Sequence, residues 1–188
     1  MMKFSHIVIV FITFFASAGM AVSQTSSGTQ EYGDGGAYEG EFLNGLPHGN
    51  GTYELPNGYR YVGEWFEGEI NGQGEALFPN GSVYIGSFVK GKPEGSGKIT
   101  FTDGGTYEGE WANGSITGEG YAKYANGTTY LGTFLDAMQD GKGIMKSPDG
   151  YIYDGTWENG VKQGKAMVTY PDGSIYTGEV SQGLREGS

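Results

Sequence analysis

The sequence has no cysteine, only two histidines, and half as many basic residues as acidic ones, 11 against 22. Without cysteine the chain has no disulfide framework, no lipoprotein attachment site and no thiol to act as a nucleophile or a zinc ligand. Its formal net charge of −11 argues against nucleic acid as a partner and against binding anionic lipid through charge alone, because both are themselves negative. The acidity is suited instead to keeping a chain rich in glycine and aromatic residues soluble.

Long apolar runs are also missing, except at the N-terminus, where a mostly apolar stretch of 16 residues, Ile7 to Val22, follows a single lysine. A positive residue, a short apolar core and small residues at its end are typical of a secretory signal peptide. The alternative, an uncleaved membrane anchor, needs about 20 apolar residues. We therefore predict a signal peptide over residues 1–23, cleaved after Ser23 or alternatively after Ala18 or Ala21. Its removal leaves a net charge of −12 and an exported protein, whether periplasmic, cell-surface or extracellular.

What the sequence does contain is a period of 23 residues, with no insertion or deletion. A tyrosine begins each copy, at Tyr38, Tyr61, Tyr84, Tyr107, Tyr130, Tyr153 and Tyr176. A glycine follows it at Gly40, Gly63, Gly86, Gly109, Gly132, Gly155 and Gly178. Next comes an aromatic residue that alternates between Phe and Trp, at Phe42, Trp65, Phe88, Trp111, Phe134 and Trp157, with Val180 in the last copy. A fixed period of this length indicates an array of equivalent supersecondary units.

Two turn signals divide each copy into two segments of strand length. One signal is Asn44-Gly45 with its equivalents, and the other is Asn80-Gly81 with its equivalents, often after proline. Asn-Gly and Asp-Gly tolerate positive φ and favour tight hairpins. No helical periodicity follows the N-terminal stretch. The sequence thus predicts an all-β fold, an elongated single-layer antiparallel meander of hairpin repeats, about 14 strands wide, twisted and open-ended.

The two faces of this sheet follow from the alternation of side chains along a strand. Tyr61, Gly63 and Trp65 point to one face, and part of the following strand is predicted to share it. That second set is Gly72, Gly74, Ala76 and Phe78. Glycine inside a strand costs about 0.5–1 kcal/mol relative to alanine, so its recurrence requires a compensating interaction. We expect the rings to lie flat across the glycines as a ladder of aromatic pairs.

The array begins and ends with incomplete copies. Gln24–Gln30 is rich in small polar residues and is predicted to be disordered. Tyr32–Gly35 matches Phe78–Gly81 of a later copy, which indicates the second half of a degenerate repeat. We therefore predict a tail and half repeat over residues 24–37, and six full copies with a C-terminal half copy over residues 38–188.

The pattern Tyr-x-Gly-x-Trp/Phe-x-x-Gly-x-x-x-Gly-x-Gly, present in Tyr61–Gly74, resembles the MORN (membrane occupation and recognition nexus) repeat family. The resemblance extends from Tyr38 to Gly187, with Ala137, Ala166 and Val180 as departures. It implies protein–protein contact and proximity to a membrane as themes of the family. It does not imply a particular ligand.

Candidate catalytic residues are scarce. Outside the predicted signal peptide the only histidine is His48, which lies in a predicted hairpin turn. Glu64 and Glu110 occupy the same repeat position, as scaffold residues do, whereas an active site breaks the repeat symmetry. Gly-x-Gly runs such as Gly118–Gly120 lack the following helix that binds phosphate, and the Asp-Gly turns lack the spacing of a calcium loop. We predict no enzymatic activity, no cofactor and no metal.

The leading functional hypothesis is an exported, non-enzymatic scaffold that binds a protein or another extended ligand through an aromatic groove. The groove residues are Tyr61, Trp65, Tyr107, Trp111, Tyr153 and Trp157. The competing interpretation is that these rings only satisfy each other. Two other functions stay open: a peripheral module that binds membrane phospholipid, and a carbohydrate-active enzyme that uses two acids.

A second candidate site is the last strand, with Tyr176, Gly178 and Val180, because it has no proline or lysine to protect its edge. Nothing that follows it in the sequence is expected to cover it. We predict that it pairs with a strand of a partner protein or of a second copy. The alternative is that Glu179 and the acidic net charge keep the edge solvated.

Overall fold

The computed structural model describes residues 24–186. The predicted signal peptide, residues 1–23, lies outside the described residues. Fifteen β-strands form one antiparallel sheet, in which each strand pairs with its neighbours in the sequence. The predicted all-β meander is therefore confirmed.

The strands alternate between two lengths. The first strand of each hairpin has seven residues: β2 (Ala37–Leu43), β4 (Arg60–Phe66), β6 (Val83–Val89), β8 (Thr106–Ala112), β10 (Thr129–Leu135), β12 (Ile152–Glu158) and β14 (Ile175–Ser181). The second strand has nine: β3 (Leu46–Glu54), β5 (Glu69–Leu77), β7 (Lys92–Thr100), β9 (Ser115–Lys123), β11 (Met138–Lys146) and β13 (Val161–Thr169). The outermost strands of the described sheet are β1 (Thr25–Glu31) and β15 (Leu184–Arg185).

The turns form where the Asn-Gly and Asp-Gly pairs predict them. In the first hairpin Asn44 and Gly45 have φ angles of 52° and 82°, the pair of positive values that a type I′ turn requires. Between copies, Gly58 N–H donates to the carbonyl of Leu55 at 3.0 Å. In the same turn the side chain of Asn57 accepts the N–H of Tyr59 at 2.9 Å. The asparagine side chain thus stabilises the second turn directly.

Each of the six long hairpins, β2–β3 to β12–β13, contains an irregularity between its glycine and its aromatic residue, as between Gly63 and Trp65. Glu64 has no strand partner in β5, and its carboxylate accepts the N–H of Gln73 at 2.7 Å. Gly72 has a φ of 110°, and a Cβ on it would collide with the side chain of Glu64. Gly72 lies opposite the ring-face residue Phe88 of β6, as predicted, but the bulge gives it a backbone conformation in which a side chain would meet Glu64.

The N-terminal segment is ordered. β1 covers Thr25–Glu31 and pairs with β2 over its whole length, with Gly28 opposite Gly40. This register repeats that of β3 and β4, where Gly51 lies opposite Gly63. The prediction of disorder over Gln24–Gln30 was wrong, because pairing with β2 supplies the hydrogen bonds that the polar composition alone does not predict.

The core is a ladder of rings on one face of the sheet, as predicted. Its most deeply buried side chains are tyrosines, at most 2% exposed: Tyr38, Tyr61, Tyr84, Tyr107, Tyr130 and Tyr153. Tyr61 lies across Gly74, where a Cβ would come within 2.5 Å of the ring. Its hydroxyl donates to the carbonyl of Glu64 at 2.9 Å, and its ring meets Phe88 of the next copy edge-to-face at 5.1 Å. Each copy therefore completes the core of its neighbour.

The buried tyrosines make the sheet sensitive to alkali. Burial raises the pKa of Tyr84, Tyr107 and Tyr153 to about 12, from an ordinary value of 10.0. Between these values the folded chain binds more protons than the unfolded chain. Stability is therefore full below the unfolded pKa and falls as the pH rises through the folded pKa. We expect the sheet signal in circular dichroism to be lost between about pH 10 and pH 12.

The control for this titration is the chain unfolded in denaturant, whose tyrosines ionise near their ordinary pKa of about 10. Tyrosinate absorbance and circular dichroism are recorded on the same samples. A sheet signal that persists after all tyrosines have ionised would contradict the expectation.

Candidate functional site

The structure buries the predicted groove residues. The exposed fraction is at most 7% for each of the six: Tyr61, Trp65, Tyr107, Trp111, Tyr153 and Trp157. Their rings contact each other and the rings of neighbouring copies, so little of their surface is free for a ligand. As a ligand-binding face this set stays a prediction.

One cavity does open on the ring face, with a volume of about 310 Å³. It is lined by Tyr32, Tyr53, Trp65, Ile70 and Lys90, among others. The indole N–H of Trp65 is buried and has no hydrogen-bond partner. Of the predicted groove residues, Trp65 thus lines a cavity and also has a hydrogen-bond donor without a partner.

The opposite face of the sheet, which carries Val62, Glu64 and their equivalents, has no layer packed on it in the described residues; we call it the uncovered face. Strand register places Tyr121 opposite Leu131, and Leu131 opposite Ile144, on three successive strands. Tyr121 and Leu131 are 43% and 56% exposed. Because adjacent strands lie about 4.8 Å apart, these three side chains form one continuous apolar patch.

An open cavity of about 860 Å³ lies beside this patch, over β11 to β14. Register continues the row from Ile144 to Asp154 and then to Met167, which lines the cavity. Lys142 and Lys165 also line it, together with Thr156, Thr177 and Glu179. Within residues 24–186 neither lysine forms a salt bridge, since the two ion pairs present are Arg60–Glu54 and Lys98–Glu108. The cavity therefore combines an apolar floor with two lysines and two carboxylates, Asp154 and Glu179.

The predicted edge is covered in part. Val180 pairs with Arg185 of β15, and Glu186 N–H donates to the carbonyl of Glu179 at 2.9 Å. The expectation that nothing covers this strand was therefore wrong at Val180, because the chain folds back as a short strand. Tyr176 and Gly178 have no strand partner on that side among residues 24–186.

The remaining polar candidates have structural partners. His48 lies 5.4 Å from the ring of Phe66, and its Nδ1 accepts the N–H of Glu67 at 3.5 Å. No group of three or more His, Asp or Glu side chains that could hold a metal occurs in residues 24–186. Nor does this part of the chain contain a helix that could cross a membrane.

Sequence reasoning missed the residues of the apolar patch and, apart from Gly178, those that line the cavity on the uncovered face. Leu131 and its equivalents Val62 and Ile85 follow directly after the ladder tyrosines, so period-two alternation already places them on the uncovered face. The contributions of Tyr121 and Met167 required the pairing register between strands.

These features define an open array of β-hairpin repeats with one buried and one uncovered face. The MORN repeat profile matches seven consecutive stretches: residues 38–58, 61–83, 84–106, 107–129, 130–150, 153–175 and 176–188. The chain belongs to the MORN repeat family. No curated protein matches the sequence.

Similarity to solved structures is low. The TCP domain of Drosophila melanogaster SAS-4 (dCPAP), solved with a proline-rich motif of Ana2 (dSTIL), is 10% identical with a TM-score of 0.49, over 90% of this chain and 97% of that domain. The TCP10c domain of Drosophila melanogaster Sas-4 is 11% identical with a TM-score of 0.44, over 85% and 100%. At these scores the similarity establishes neither a shared function nor a shared partner.

Proposed function

We propose that this protein is an exported, non-enzymatic scaffold that binds an extended segment of another protein on its uncovered face, across β9 to β13. The observation that carries the proposal is the apolar row Tyr121–Leu131–Ile144 running into the cavity beside Lys142 and Lys165. The predicted signal peptide supports export.

The chemistry of this surface suits a protein segment. Exposed apolar side chains on three successive strands form an apolar centre with a polar rim, the arrangement typical of protein-binding surfaces. The cavity has both lysines and the carboxylates Asp154 and Glu179, so it suits a partner with side chains of both signs. Anionic lipid fits less well, because the net charge of −11 repels it.

A non-enzymatic function is supported by how the acidic residues are used. Glu64 accepts the N–H of Gln73, and Glu41 accepts the N–H of Asn50 at 3.4 Å. These equivalent contacts stabilise the hairpin bulges, so the repeated glutamates serve the scaffold.

We expect Leu131→Asp to weaken capture of the partner at least about tenfold, which corresponds to 1.4 kcal/mol. Residues 24–188 of wild type and variant serve as bait in the fraction into which the cells export the protein. The proteins that each bait captures are then quantified side by side. Phe66→Asp is the matched control: it introduces the same charge on the same face at similar exposure, 53% against 56%, far from the patch.

Other outcomes would contradict this function in distinct ways. Equal capture by Leu131→Asp and wild type would exclude the patch as the binding site. Salt-sensitive sedimentation with anionic vesicles would favour the phospholipid-binding alternative. Turnover of a glycan that is abolished by changing one glutamate, with folding intact, would favour the enzyme.

A further inference from the structure

The first strand carries a glycine with no ring on it. In five hairpins the second strand carries a glycine that is covered by the tyrosine ring of the first strand. These glycines are Gly51, Gly74, Gly97, Gly120 and Gly143. Gly28 holds the equivalent position in β1. A Cβ on Gly28 would meet only Phe42 Cε2 within 4 Å, at 3.9 Å. The place of a tyrosine ring over Gly28 is therefore open.

At the opposite end of the sheet, no second-strand glycine lies beneath Tyr176 among residues 24–186. Instead the guanidinium of Arg185 lies 5.5 Å from the centre of the Tyr176 ring, and the Tyr176 hydroxyl donates to the carbonyl of Glu186 at 2.9 Å. That hydroxyl also donates to the carbonyl of Glu179 at 2.7 Å, as the other ladder tyrosines do three residues on, so the ring has the same orientation. Yet Tyr176 is only half-buried, whereas the six tyrosines before it are at most 2% exposed.

Phe42 shows the same incompleteness at the first end. Phe88 and Phe134 are only 2% and 6% exposed, because the tyrosine of the preceding copy packs on each of them. Phe42 has no such preceding tyrosine among residues 24–186 and is half-buried. Among residues 24–186, the first end of the array thus lacks a ladder tyrosine, and at the last end Tyr176 is covered only by the short β15 segment.

We propose that copies of this chain associate head to tail, with β14 of one copy pairing antiparallel to β1 of the next. Gly178 then lies opposite Gly28, in the register that pairs Gly63 with Gly74 inside the array. The ring of Tyr176 covers Gly28 and meets Phe42 edge-to-face. Because the two surfaces differ, the contact is heterologous and can repeat into an open chain of copies.

This inference rests on the proposed export, because the mature chain of residues 24–188 begins one residue before β1, whose outer edge has no strand partner among residues 24–186. It also requires one segment to yield. By the repeat period, Arg185 and Glu186 hold the positions that Gln24 and Thr25 of the next copy would take. β15 is the segment that withdraws, because it is only two residues long and Leu184 is 72% exposed.

Sedimentation velocity of residues 24–188 across micromolar concentrations tests the proposal. We expect the average mass of the wild type to rise with concentration beyond that of a dimer. Gly28→Val should stay monomeric, because its side chain fills the place of the ring, while the open space around Gly28 lets the monomer fold normally. Gly33→Ala is the matched control and should behave as wild type, since no atom lies within 4 Å of its added Cβ.

A variant lacking residues 184–188 should associate at lower concentration than wild type, because β15 no longer competes. A wild type that is monomeric throughout, or a Gly28→Val variant that associates as wild type does, would overturn the proposal. These readouts use purified chain of defined length. Their outcome therefore does not depend on whether Leu131 contributes to partner binding, or on whether cells remove residues 1–23.

Discussion

Replacing Tyr107 by alanine is expected to lower the free energy of unfolding by about 3–5 kcal/mol, as for other large buried rings. Tyr107 is 2% exposed and meets Phe134 of the next copy at 5.0 Å. Its hydroxyl donates to the carbonyl of Glu110 at 3.0 Å. The substitution empties the space above Gly120 and removes a ring that two copies share. Denaturant unfolding followed by circular dichroism measures the loss.

The control for this prediction is Tyr121→Ala, which removes the same kind of side chain from the uncovered face, opposite the ring ladder. Tyr121 is 43% exposed, so the expected loss is below about 1 kcal/mol. Equal losses in the two variants would show that the ring ladder does not dominate the stability of the sheet.

Gly109→Ala is expected to lower the free energy of unfolding by about 3 kcal/mol, the upper end of the range for overpacked cores. A Cβ on Gly109 would lie 2.5 Å from the carbonyl oxygen of Glu119 and 2.6 Å from the Cα of Gly120. These are backbone atoms of a paired strand, so they cannot move aside without breaking the pairing. Denaturant unfolding of variant and wild type measures the difference.

The chain offers two comparisons for this result. Gly33→Ala adds a methyl group with no atom within 4 Å and should change the free energy of unfolding by no more than about 0.5 kcal/mol. Ala166 already replaces the second-strand glycine in the sixth copy, and Tyr153 above it remains fully buried. If Gly109→Ala lowered the free energy of unfolding as little as Gly33→Ala, close packing between first-strand glycines and the neighbouring backbone would not explain why glycine is required there.

The sequence alone was sufficient to predict the repeat, the hairpins and the ring ladder. These depend on local chemistry that recurs every 23 residues: Asn-Gly turns, a tyrosine, and glycines at fixed distances from it. Because each copy contacts chiefly its neighbours in sequence, a local pattern suffices to specify the global sheet. The assignment of Gly74 and Ala76 to the ring face was correct for the same reason, since Ala76 lies opposite Tyr61.

Only the tertiary structure decided the remaining features, because they depend on pairing between strands. The bulge gives Gly72 a φ of 110° and brings the side chain of Glu64 against it, which simple alternation does not predict. Thr25–Gln30 became part of a strand through its pairing with β2 rather than through its own composition. Tyr121, Leu131 and Ile144 lie far apart in sequence, and register alone joins them into one apolar patch. Which face is buried follows from the packing of rings between copies, and that packing left the opposite face available for a partner.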